Sequence, residues 1–316
     1  MNEKYDVVVI GGGAAGLSGA LALVRARRRV LVIDDGTPRN APAGQVHNFL
    51  TRDGTPPGEL LAAGRAEVAG YGGEFVFGAV TAAERAGDDL RVALGDQTAL
   101  ARRLLVTTGL VDELPEVVGL AARWGRDVLH CPYCHGWEVR DQAIGVLASG
   151  PLAVHQALLF RQLSDDVTLF RHTGPDLTEE QWEQLAARGI AVVDGEVAAV
   201  EVTGDALTGV RLRGGPVVPC QALAVQPFFR ARAGVLGSLG LEPEPMEING
   251  QVIGTRIPAD QRGATEVAGV WVAGNVTDPM AQVISAAAAG LHTAAAINAD
   301  LVEEDARQAA ATRVPA

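Results

Sequence analysis

Two cysteines separated by two residues are the part of this sequence best suited to chemistry. Cys131 and Cys134 stand in the segment VLHCPYCHGWE, with His130 before them and His135 after them. Because the sequence shows no secretion signal, such a pair is predicted to be redox-active or metal-binding rather than structural. A histidine beside a thiol can lower the thiol pKa when charged, or accept its proton when neutral. These four side chains are therefore the candidate catalytic residues, and a buried, inert pair is the alternative.

A zinc site is the competing interpretation of the cysteines. It would need a second pair of ligands at ribbon or finger spacing, but Cys220 stands alone and no H-x3-5-H pattern follows. We therefore expect no metal, and we predict that Cys220 is a buried bystander.

The composition limits the class of protein. The chain has 316 residues, enough for two domains with full cores. A hydrophobic content of 48% with 4% aromatic residues and 38 glycines is typical of an α/β protein with tight turns. The formal net charge of −12 argues against nucleic acid or an anionic membrane surface as a partner. No apolar run approaches the roughly 20 residues that span a bilayer, and the N-terminus lacks a basic region and a cleavage site, so we expect a cytoplasmic protein.

A strand–turn–helix unit near the N-terminus predicts a dinucleotide site. An apolar strand at 6–10 runs into the turn GGGAAG at 11–16, and a helix is expected to about Arg28. In this G-x-G-x-x-G pattern the first glycine permits a tight turn, the second lets a pyrophosphate approach, and the third allows close packing. The next strand, 30–33, ends at an acid that can accept a ribose hydroxyl. The candidate nucleotide contacts here are Gly11, Gly13, Ala14, Ala15, Gly16, Asp34 and Asp35.

The segment of residues 36–58 is rich in Pro, Gly and Asn. It is too long for a plain connection, so we expect a functional loop, with ordinary turn chemistry as the alternative for its polar residues. Its polar candidates are Arg39, Asn40, His47 and Asn48. A helix at 60–69 and strands at 74–77, 90–94 and 103–107 are predicted next, and the last strand ends in Thr107-Thr108-Gly109.

A second strand–turn–helix unit follows the cysteines, but its glycine turn is eroded. The predicted strand at 143–147 leads into ASGPLA and a helix to about Leu163. Ala148 stands where the first glycine is expected, and Pro151 falls early in the predicted helix, where its missing N–H is tolerated. The pattern alone therefore predicts a dinucleotide-type fold without a complete phosphate turn.

The nucleotide preference of this second unit is undecided from sequence. Its next strand, 167–170, ends without an acid, which disfavours NAD. Arg171 could meet the 2′-phosphate of NADP(H), yet the carboxylates of Asp176, Glu179 and Glu180 follow closely and would oppose a phosphate. Further strands are predicted at 190–193, 198–202, 209–212 and 222–225.

The C-terminal part combines a strand at 270–273, the pair Gly274-Asn275 and a long alanine-rich helix from about Ala281 to Leu301. A helix N-terminus after a strand favours contact with an electron-rich group, and simple closure of the core is the alternative. Residues 306–316 are predicted to be frayed.

Taken together, these motifs resemble the low-molecular-weight thioredoxin reductases: GGGAAG at the N-terminus, TTG at 107–109, a central C-x-x-C, and GNVTDPMAQVI before the last helix. The resemblance implies an α/β fold of two Rossmann-like, three-layer domains. Residues 1–115 plus 229–316 would form a discontinuous FAD-binding domain, and 116–228 an NADPH-type domain that carries the cysteines. It also implies a homodimer. The residues it adds near the flavin are Asn48, Thr108, Gly109, Gly274, Asn275, Gln282 and Val283.

Three departures from the reductase pattern resemble the dithiol oxidase branch, whose flavoenzymes close disulfides in natural products of the gliotoxin and holomycin type. His135 replaces the acid after the second cysteine, Asn275 replaces an aspartate, and the expected arginine pair is reduced to Arg171. The resemblance then implies a small-molecule dithiol as substrate and O2 as electron acceptor. Cys131 would form the mixed disulfide, Cys134 would pass the electron pair to the flavin, and either flanking histidine would be the base. An NADPH-dependent thioredoxin or disulfide reductase and a redox-sensing flavoprotein are the alternatives.

Overall fold

The computed structural model describes residues 4–312 as an α/β protein. The strands are β1 Lys4–Ile10, β2 Val30–Asp34, β3 Glu74–Phe77, β4 Ala82–Ala86, β5 Asp89–Leu94, β6 Gln97–Val106, β7 Leu110–Glu113, β8 Val128–Leu129, β9 Ile144–Leu147, β10 Val167–Phe170, β11 Ala191–Val193, β12 Val197–Thr203, β13 Ala206–Leu212, β14 Val217–Val218, β15 Ala222–Val225, β16 Phe228–Ala231, β17 Glu244–Ile248, β18 Gln251–Arg256 and β19 Val270–Val272. The helices are α1 Ala14–Arg25, α2 Pro57–Gly70, α3 Leu120–Arg123, α4 Pro132–His135, α5 Ala153–Phe160, α6 Glu179–Ala187, α7 Gly234–Gly237 and α8 Val283–Thr312, with short 3-10 helices at Trp137–Val139 and Gly274–Val276.

The first sheet has seven strands and is built around β1. Its order is β3-β2-β1-β6-β5-β4, and β19 pairs in parallel with β6. The strand β1 is parallel to both β2 and β6, so the carboxyl ends of all three strands meet at one edge. Its apolar run is covered on both faces, as expected of a central parallel strand.

Helices α1 and α8 pack on this sheet in close contact. A Cβ on Gly290 of α8 would collide with the backbone oxygen of Ala15 in α1, so only glycine permits this approach. The contact brings the first turn of α1 near the first turns of α8. Both helix N-termini consequently open toward the edge of the sheet where β1 and β2 end.

The second sheet has the order β11-β10-β9-β15-β8, and all of its pairings are parallel. Its core includes Val146, Leu169 and Phe160, all fully buried. A three-stranded antiparallel sheet, β12-β13-β14, and a four-stranded sheet, β17-β18-β16-β7, complete the fold. Two sheets with helices packed on them confirm the predicted fold class of two Rossmann-like units. Among the helices of residues 4–312, none combines the length and the apolar character needed to cross a bilayer.

Several predicted element bounds are wrong, for identifiable reasons. Helix α1 ends at Arg25 rather than Arg28, because the chain turns through a positive φ of 64° at Arg27. Helix α5 ends at Phe160 rather than Leu163, and Pro151 lies in the turn before it rather than inside it.

The C-terminal helix is longer than predicted. Helix α8 continues to Thr312, so residues 306–312 are helical rather than frayed, while 313–316 lie outside the described residues. Ion pairs tie this helix to the first sheet: Arg103 binds Asp300 at 2.5 Å, and Arg28 binds Asp305 at 2.7 Å. These ion pairs join residues far apart in sequence. The composition of the C-terminal segment therefore could not predict that the helix is held against the sheet.

Candidate functional site

A single cavity of about 750 Å³ joins the glycine turn at the start of α1 to the cysteine pair at α4. All of the predicted site residues line it except Gly16 and Asn48. It is bounded by the ends of β1 and β2, the loop of residues 35–56, α4, the first residues of α8, and one face of α5. The sequence motifs that stand apart along the chain therefore face one space.

The three glycines of the first turn have the separate roles that the motif predicts. Gly11 has a φ of 104°, and a Cβ there would lie 2.5 Å from the backbone oxygen of Thr107. A Cβ on Gly16 would collide with the oxygen of Gly11, which explains why Gly16 packs behind the turn and does not line the cavity. A Cβ on Gly13 would meet nothing within 4 Å. The turn is thus closed on the protein side and open on the cavity side.

These residues fit the adenine dinucleotide end of FAD. Asp34 closes β2, and its Oδ1 accepts the backbone N–H of Gly12 at 2.9 Å. Within residues 4–312 its Oδ2 has no hydrogen-bond donor, so it can accept a ribose hydroxyl. Helix α1 begins without a side-chain cap or an acid in its first turn, which leaves its N–H groups for a phosphate.

The segment before α8 is organised by Asn275. Its Nδ2 donates toward the carbonyl oxygens of Asp278 at 3.0 Å, Pro279 at 3.3 Å and Ala281 at 2.9 Å. The neighbouring Gly274 has a φ of 75°, and a Cβ there would lie 2.9 Å from the Cβ of Ala15. The Asn275 amide nitrogen therefore shapes the chain that leads into α8, and its oxygen is left for the cavity.

The cysteine pair lies at the start of α4. Cys131 and Cys134 form a disulfide with their Cα atoms 5.2 Å apart. The backbone oxygen of Cys131 accepts the N–H groups of Cys134 at 3.2 Å and His135 at 3.1 Å, so the helical turn fixes the spacing of the two sulfurs. Proline at the first helical position suits this turn because it needs no N–H there.

His130 is held with a defined tautomer. Its Nδ1 lies 3.0 Å from the carbonyl oxygen of Val225, which can only accept, so the ring proton resides on Nδ1 and Nε2 is the basic atom. The ring packs edge-on against Phe229 with centroids 5.3 Å apart. Gln156 donates to the His130 backbone oxygen at 2.6 Å. Burial lowers the pKa of His130, which keeps the ring neutral at pH 7.

His135 is the second candidate base. Its Nε2 is buried and has no hydrogen-bond partner among residues 4–312. Burial lowers the pKa of His135; the Glu138 carboxylate acts in the opposite direction, and His47 acts in the same direction as burial. A neutral imidazole with a free nitrogen is thus available beside Cys134.

The loop of residues 35–56 contacts the cysteine motif directly. Asn48, outside the cavity lining, donates its Nδ2 to the backbone oxygen of Tyr133 at 2.5 Å. The Nε2 of His47 lies 3.3 Å from Glu138 Oε1, and its Nδ1 lies 3.4 Å from Asp53 Oδ2. The loop therefore couples the glycine-turn side of the cavity to the residues around the disulfide.

Arg39, predicted to contact the cofactor, is paired with an acid. Its Nε and Nη2 donate to the two oxygens of Asp112 at 2.8 and 2.6 Å. The Asp112 side chain is only 7% exposed, and the guanidinium lies over the Phe229 ring at 5.4 Å. Asn40 and Asp35 line the same side of the cavity, and Thr37 donates to Asp35 through both its backbone nitrogen and its hydroxyl.

The turn of the second unit is filled by the protein itself. Gln226 is 6% exposed, and its Oε1 accepts the N–H of Leu152 at 3.3 Å. A Cβ on Gly150 would lie 2.8 Å from that oxygen, and Ser149 donates to the Gln226 backbone oxygen at 2.9 Å. The space beside this turn is therefore occupied by a side chain.

The arginine that follows β10, the second strand of this unit, is also paired with acids. Arg171 pairs with Asp194 at 2.8 Å and with Asp176 at 2.5 Å. Of the acids predicted to oppose a phosphate, Asp176 makes this contact, and Glu179 and Glu180 lie in the first turn of α6 instead. Asp194 was not foreseen, since it lies 23 residues beyond Arg171.

One face of α5 was missed from sequence. Leu152, His155, Gln156 and Leu159 line the cavity at helical spacing i, i+3, i+4 and i+7. The sequence signal for this face was the presence of His155 and Gln156 between apolar residues of the predicted helix.

Cys220 is 2% exposed, and burial raises its pKa to about 12. Within residues 4–312 no group of three His, Cys, Asp or Glu side chains is placed to hold a metal ion.

Comparison with known proteins agrees with this geometry. Residues 5–290 match the family described as pyridine nucleotide-disulphide oxidoreductase. The chain is 33% identical over 282 residues to thioredoxin reductase tcpT of Claviceps purpurea, covering 85% of this chain and 86% of that protein. It is 30% identical to thioredoxin reductase sirT of Leptosphaeria maculans, covering 93% of each. The crystal structure of HlmI superposes with a TM-score of 0.88 at 47% identity, covering 96% of this chain and 95% of that one.

These matches confirm the resemblance to the thioredoxin reductases and the use of FAD, for which the cavity residues are suited. The open glycine turn, the acid at the end of β2 and the redox-active cysteine pair are the parts of the site that carry this conclusion. The chain belongs to the pyridine nucleotide-disulphide oxidoreductase family, as a thioredoxin reductase-like flavoprotein.

Proposed function

We propose that this protein is an FAD-dependent dithiol oxidase that closes an intramolecular disulfide in a small-molecule dithiol, with O2 as the final electron acceptor. The observation that carries the proposal is the contrast between its two nucleotide turns. The turn at 11–16 opens into the cavity that Cys131 and Cys134 also line, whereas the side chain of Gln226 occupies the space beside the turn at 148–152.

The filled turn is a poor site for NADPH. Phosphates bind at the start of a helix by accepting its free N–H groups. Here the Leu152 N–H is bound by Gln226, and Arg171 is engaged by two carboxylates. A nicotinamide nucleotide would have to displace Gln226 and compete with Asp176 and Asp194 for the arginine. The cysteine pair would therefore deliver electrons to a bound flavin more readily than a nicotinamide nucleotide would.

The catalytic roles follow from the cysteine motif. A neutral histidine, His130 or His135, takes the proton of one substrate thiol, and the resulting thiolate attacks the sulfur of Cys131. The Cys131–Cys134 bond breaks, and Cys134 leaves as a thiolate. The second substrate thiol, deprotonated in turn, attacks the substrate sulfur of the mixed disulfide and releases Cys131. The substrate disulfide has formed and the cysteine pair has gained two electrons.

FAD, when bound, supplies the two-electron acceptor for the reduced pair, and O2 then takes two electrons and two protons to give hydrogen peroxide. Gly11, Gly13, Ala14, Ala15 and Asp34 would hold its dinucleotide end. Asn275, Gln282 and Val283 would face its ring system.

We further propose that residues 1–115 with 229–316 form the FAD-binding domain and that 116–228 form the domain carrying the cysteines. The parallel pairing of β19 with β6 supports this division. A homodimer belongs to the same proposal and rests on the resemblance alone. A cytoplasmic location is also proposed, and it rests on the sequence pattern rather than on the resemblance.

An NADPH-dependent disulfide reductase is the second candidate, because the relatives tcpT and sirT are both named thioredoxin reductases. Anaerobic reduction separates the two functions. The yellow holoprotein is mixed with dithiothreitol or with NADPH in separate cuvettes, and the flavin absorbance is followed before and after air is admitted. Bleaching by the dithiol but not by NADPH, with recovery and peroxide formation in air, supports the oxidase. Rapid bleaching by NADPH overturns it.

A further inference from the structure

Gln156 lies on the cavity face of α5, yet its side chain has no part in the steps above. The residue is 5% exposed, and its Nε2 donates to the backbone oxygen of His130 at 2.6 Å. That oxygen belongs to the planar peptide unit that joins His130 to Cys131. The hydrogen bond therefore fixes the plane of the peptide that leads into Cys131, the cysteine that the substrate attacks in the proposed reaction.

His130 is also held from a second side, and the two supports are connected. Its Nδ1 lies 3.0 Å from the carbonyl oxygen of Val225, the last residue of β15. The next residue, Gln226, accepts the N–H of Leu152 at 3.3 Å. The oxygen of Leu152 in turn accepts the backbone N–H of Gln156 at 2.8 Å. These contacts form a closed ring that runs from His130 to the end of β15, on to the start of α5, and back to His130.

The other half of the Gln156 amide has no partner. Its Oε1 is buried, and nothing in the part of the chain that the structure describes donates to it. A buried acceptor without a partner costs about 1–3 kcal/mol, whereas an apolar side chain of similar size fills the same space without that cost. Packing alone therefore does not favour a glutamine at this position. What distinguishes it from an apolar residue is the hydrogen bond to His130.

We propose that Gln156 is a positioning residue that holds the His130–Cys131 peptide so that the Cys131 sulfur faces the attacking thiolate of the substrate. The role rests on the proposed function and acts through His130, itself a candidate base. A displacement of about 1 Å at a reacting atom can lower a rate by about 100-fold, so a fixed peptide plane has a large effect on the attack. The closed turn beside Gln226 then supports the cysteine motif in addition to obstructing a phosphate.

Two substitutions separate this hydrogen bond from the space that the side chain fills. Gln156→Met keeps a similar length and removes the donor. It exchanges one unpaired acceptor, the Gln156 oxygen, for another, the His130 oxygen, so the melting temperature should change little. Gln156→Glu keeps a donor only while its carboxyl group is protonated. Burial would raise the pKa of that carboxyl group, and the donor would be lost as the pH rises through this pKa.

The test measures how fast dithiothreitol opens the Cys131–Cys134 disulfide of the holoprotein under anaerobic conditions, by acid quench, alkylation and mass spectrometry. In Gln156→Met the limiting rate is expected to fall about tenfold or more, with the half-saturating dithiothreitol concentration as in the wild type. The ratio of the Gln156→Glu rate to the wild-type rate should rise as the pH is lowered from about 9 to about 5. Gln162→Met and Gln162→Glu, at an exposed position just after α5, are the matched controls and should keep the wild-type rate.

The outcomes separate this role from the function beneath it. A wild-type limiting rate in Gln156→Met overturns the positioning role. A Gln156→Glu ratio that does not change with pH also overturns it, and this comparison within one folded protein decides the matter if Gln156→Met loses its flavin or melts early. The oxidase is judged on the wild type. A disulfide that opens while the flavin stays yellow until NADPH is added overturns the oxidase, and the variant rates still decide the role of Gln156.

Discussion

The side-chain oxygen of Gln226 accepts the backbone N–H of Leu152, at the point where the second dinucleotide unit would bind a phosphate. The two residues are 74 positions apart, so the turn is closed by a strand end that returns to it late in the chain. The contact uses the N–H that a phosphate would need. We therefore expect the folded second unit to bind the phosphates of a nicotinamide nucleotide weakly.

Reopening this turn is expected to need more than one substitution. Gln226→Ala removes the side chain but leaves Arg171 paired, so bleaching by NADPH should stay as slow as in the wild type. The triple variant Gln226→Ala, Asp176→Asn, Asp194→Asn frees both the N–H and the guanidinium, and its NADPH-driven bleaching should rise measurably. Anaerobic stopped flow over a range of NADPH concentrations checks this. Equal rates in all three proteins would contradict the interpretation of the closed turn.

The two cysteines are expected to behave differently when one is replaced. In Cys134→Ser the Cys131 thiolate can attack an oxidised dithiol, break its S–S bond and form a mixed disulfide, which should accumulate because no second cysteine is present to resolve it. In Cys131→Ser no such adduct should form at the productive position. Intact-protein mass spectrometry after exposure to an oxidised dithiol shows which variant carries the added mass. An adduct on Cys134 alone would reverse the roles.

The pH dependence of flavin bleaching is expected to reflect His135. Burial lowers its pKa below the ordinary value of 6.5, so the base stays neutral and the wild-type rate should hold as the pH falls through 6.5. The Glu138 carboxylate raises that pKa, and Glu138→Gln should therefore move the acid limb to still lower pH. Rate profiles between pH 4.5 and pH 8 in about half-unit steps measure the limb. A limb that moves upward would contradict this assignment.

The same shift has a consequence for stability. Between the folded pKa of His135 and 6.5, the unfolded chain binds a proton that the folded chain does not. The free energy of unfolding should therefore decrease as the pH falls through this window, and this contribution should be constant above it. His130, whose pKa burial also lowers, acts in the same direction. Urea denaturation of wild type and His135→Asn across the window isolates the effect, because the variant should show a smaller slope.

Asn275→Asp is expected to be more damaging than Asn275→Ala. The alanine loses the donation to the carbonyls of Asp278, Pro279 and Ala281, at about 1–3 kcal/mol. The aspartate places a carboxylate against the same three oxygens and adds repulsion to that loss. Flavin content after purification and thermal melting compare the two variants. A fully loaded aspartate variant with wild-type melting would show that this segment rearranges freely.

Arg39→Ala is expected to lower the free energy of unfolding by about 3 kcal/mol, because it leaves the mostly buried Asp112 carboxylate without its partner. Arg39→Ala with Asp112→Asn should recover part of this loss. A double-mutant cycle by urea denaturation measures the coupling. Additive effects would show that the pair contributes nothing beyond its separate residues.

The sequence predicted well those parts of the site whose geometry is local. Gly11, Gly13 and Asp34 could be placed because a strand, a turn and a helix within one short segment require those residue types. The cysteine motif is likewise a single turn of chain. Gln226, Asp112 and the α5 face could not be placed in this way, because their roles arise from contacts with residues tens of positions away.

The sheet formed by β7, β16, β17 and β18 was also missed. Its strand β17 has the sequence EPMEI, in which two glutamates and a proline hide the apolar alternation. In the same sheet, strand β16 pairs with β7, more than 110 residues earlier, through Phe228 opposite Glu113. Long-range pairing of this kind leaves no periodic signal within either strand.

The proposed reaction with O2 would release peroxide into the cavity and expose the remaining thiol to an oxidant. The thiolate is the form that peroxide attacks, and the pKa of Cys220, raised to about 12, leaves almost none of it at neutral pH. Its place beneath the second sheet also keeps peroxide at a distance. We therefore expect the third cysteine to persist through many turnovers of the proposed oxidase without becoming a sulfenic acid, so that the core of the second unit keeps its packing.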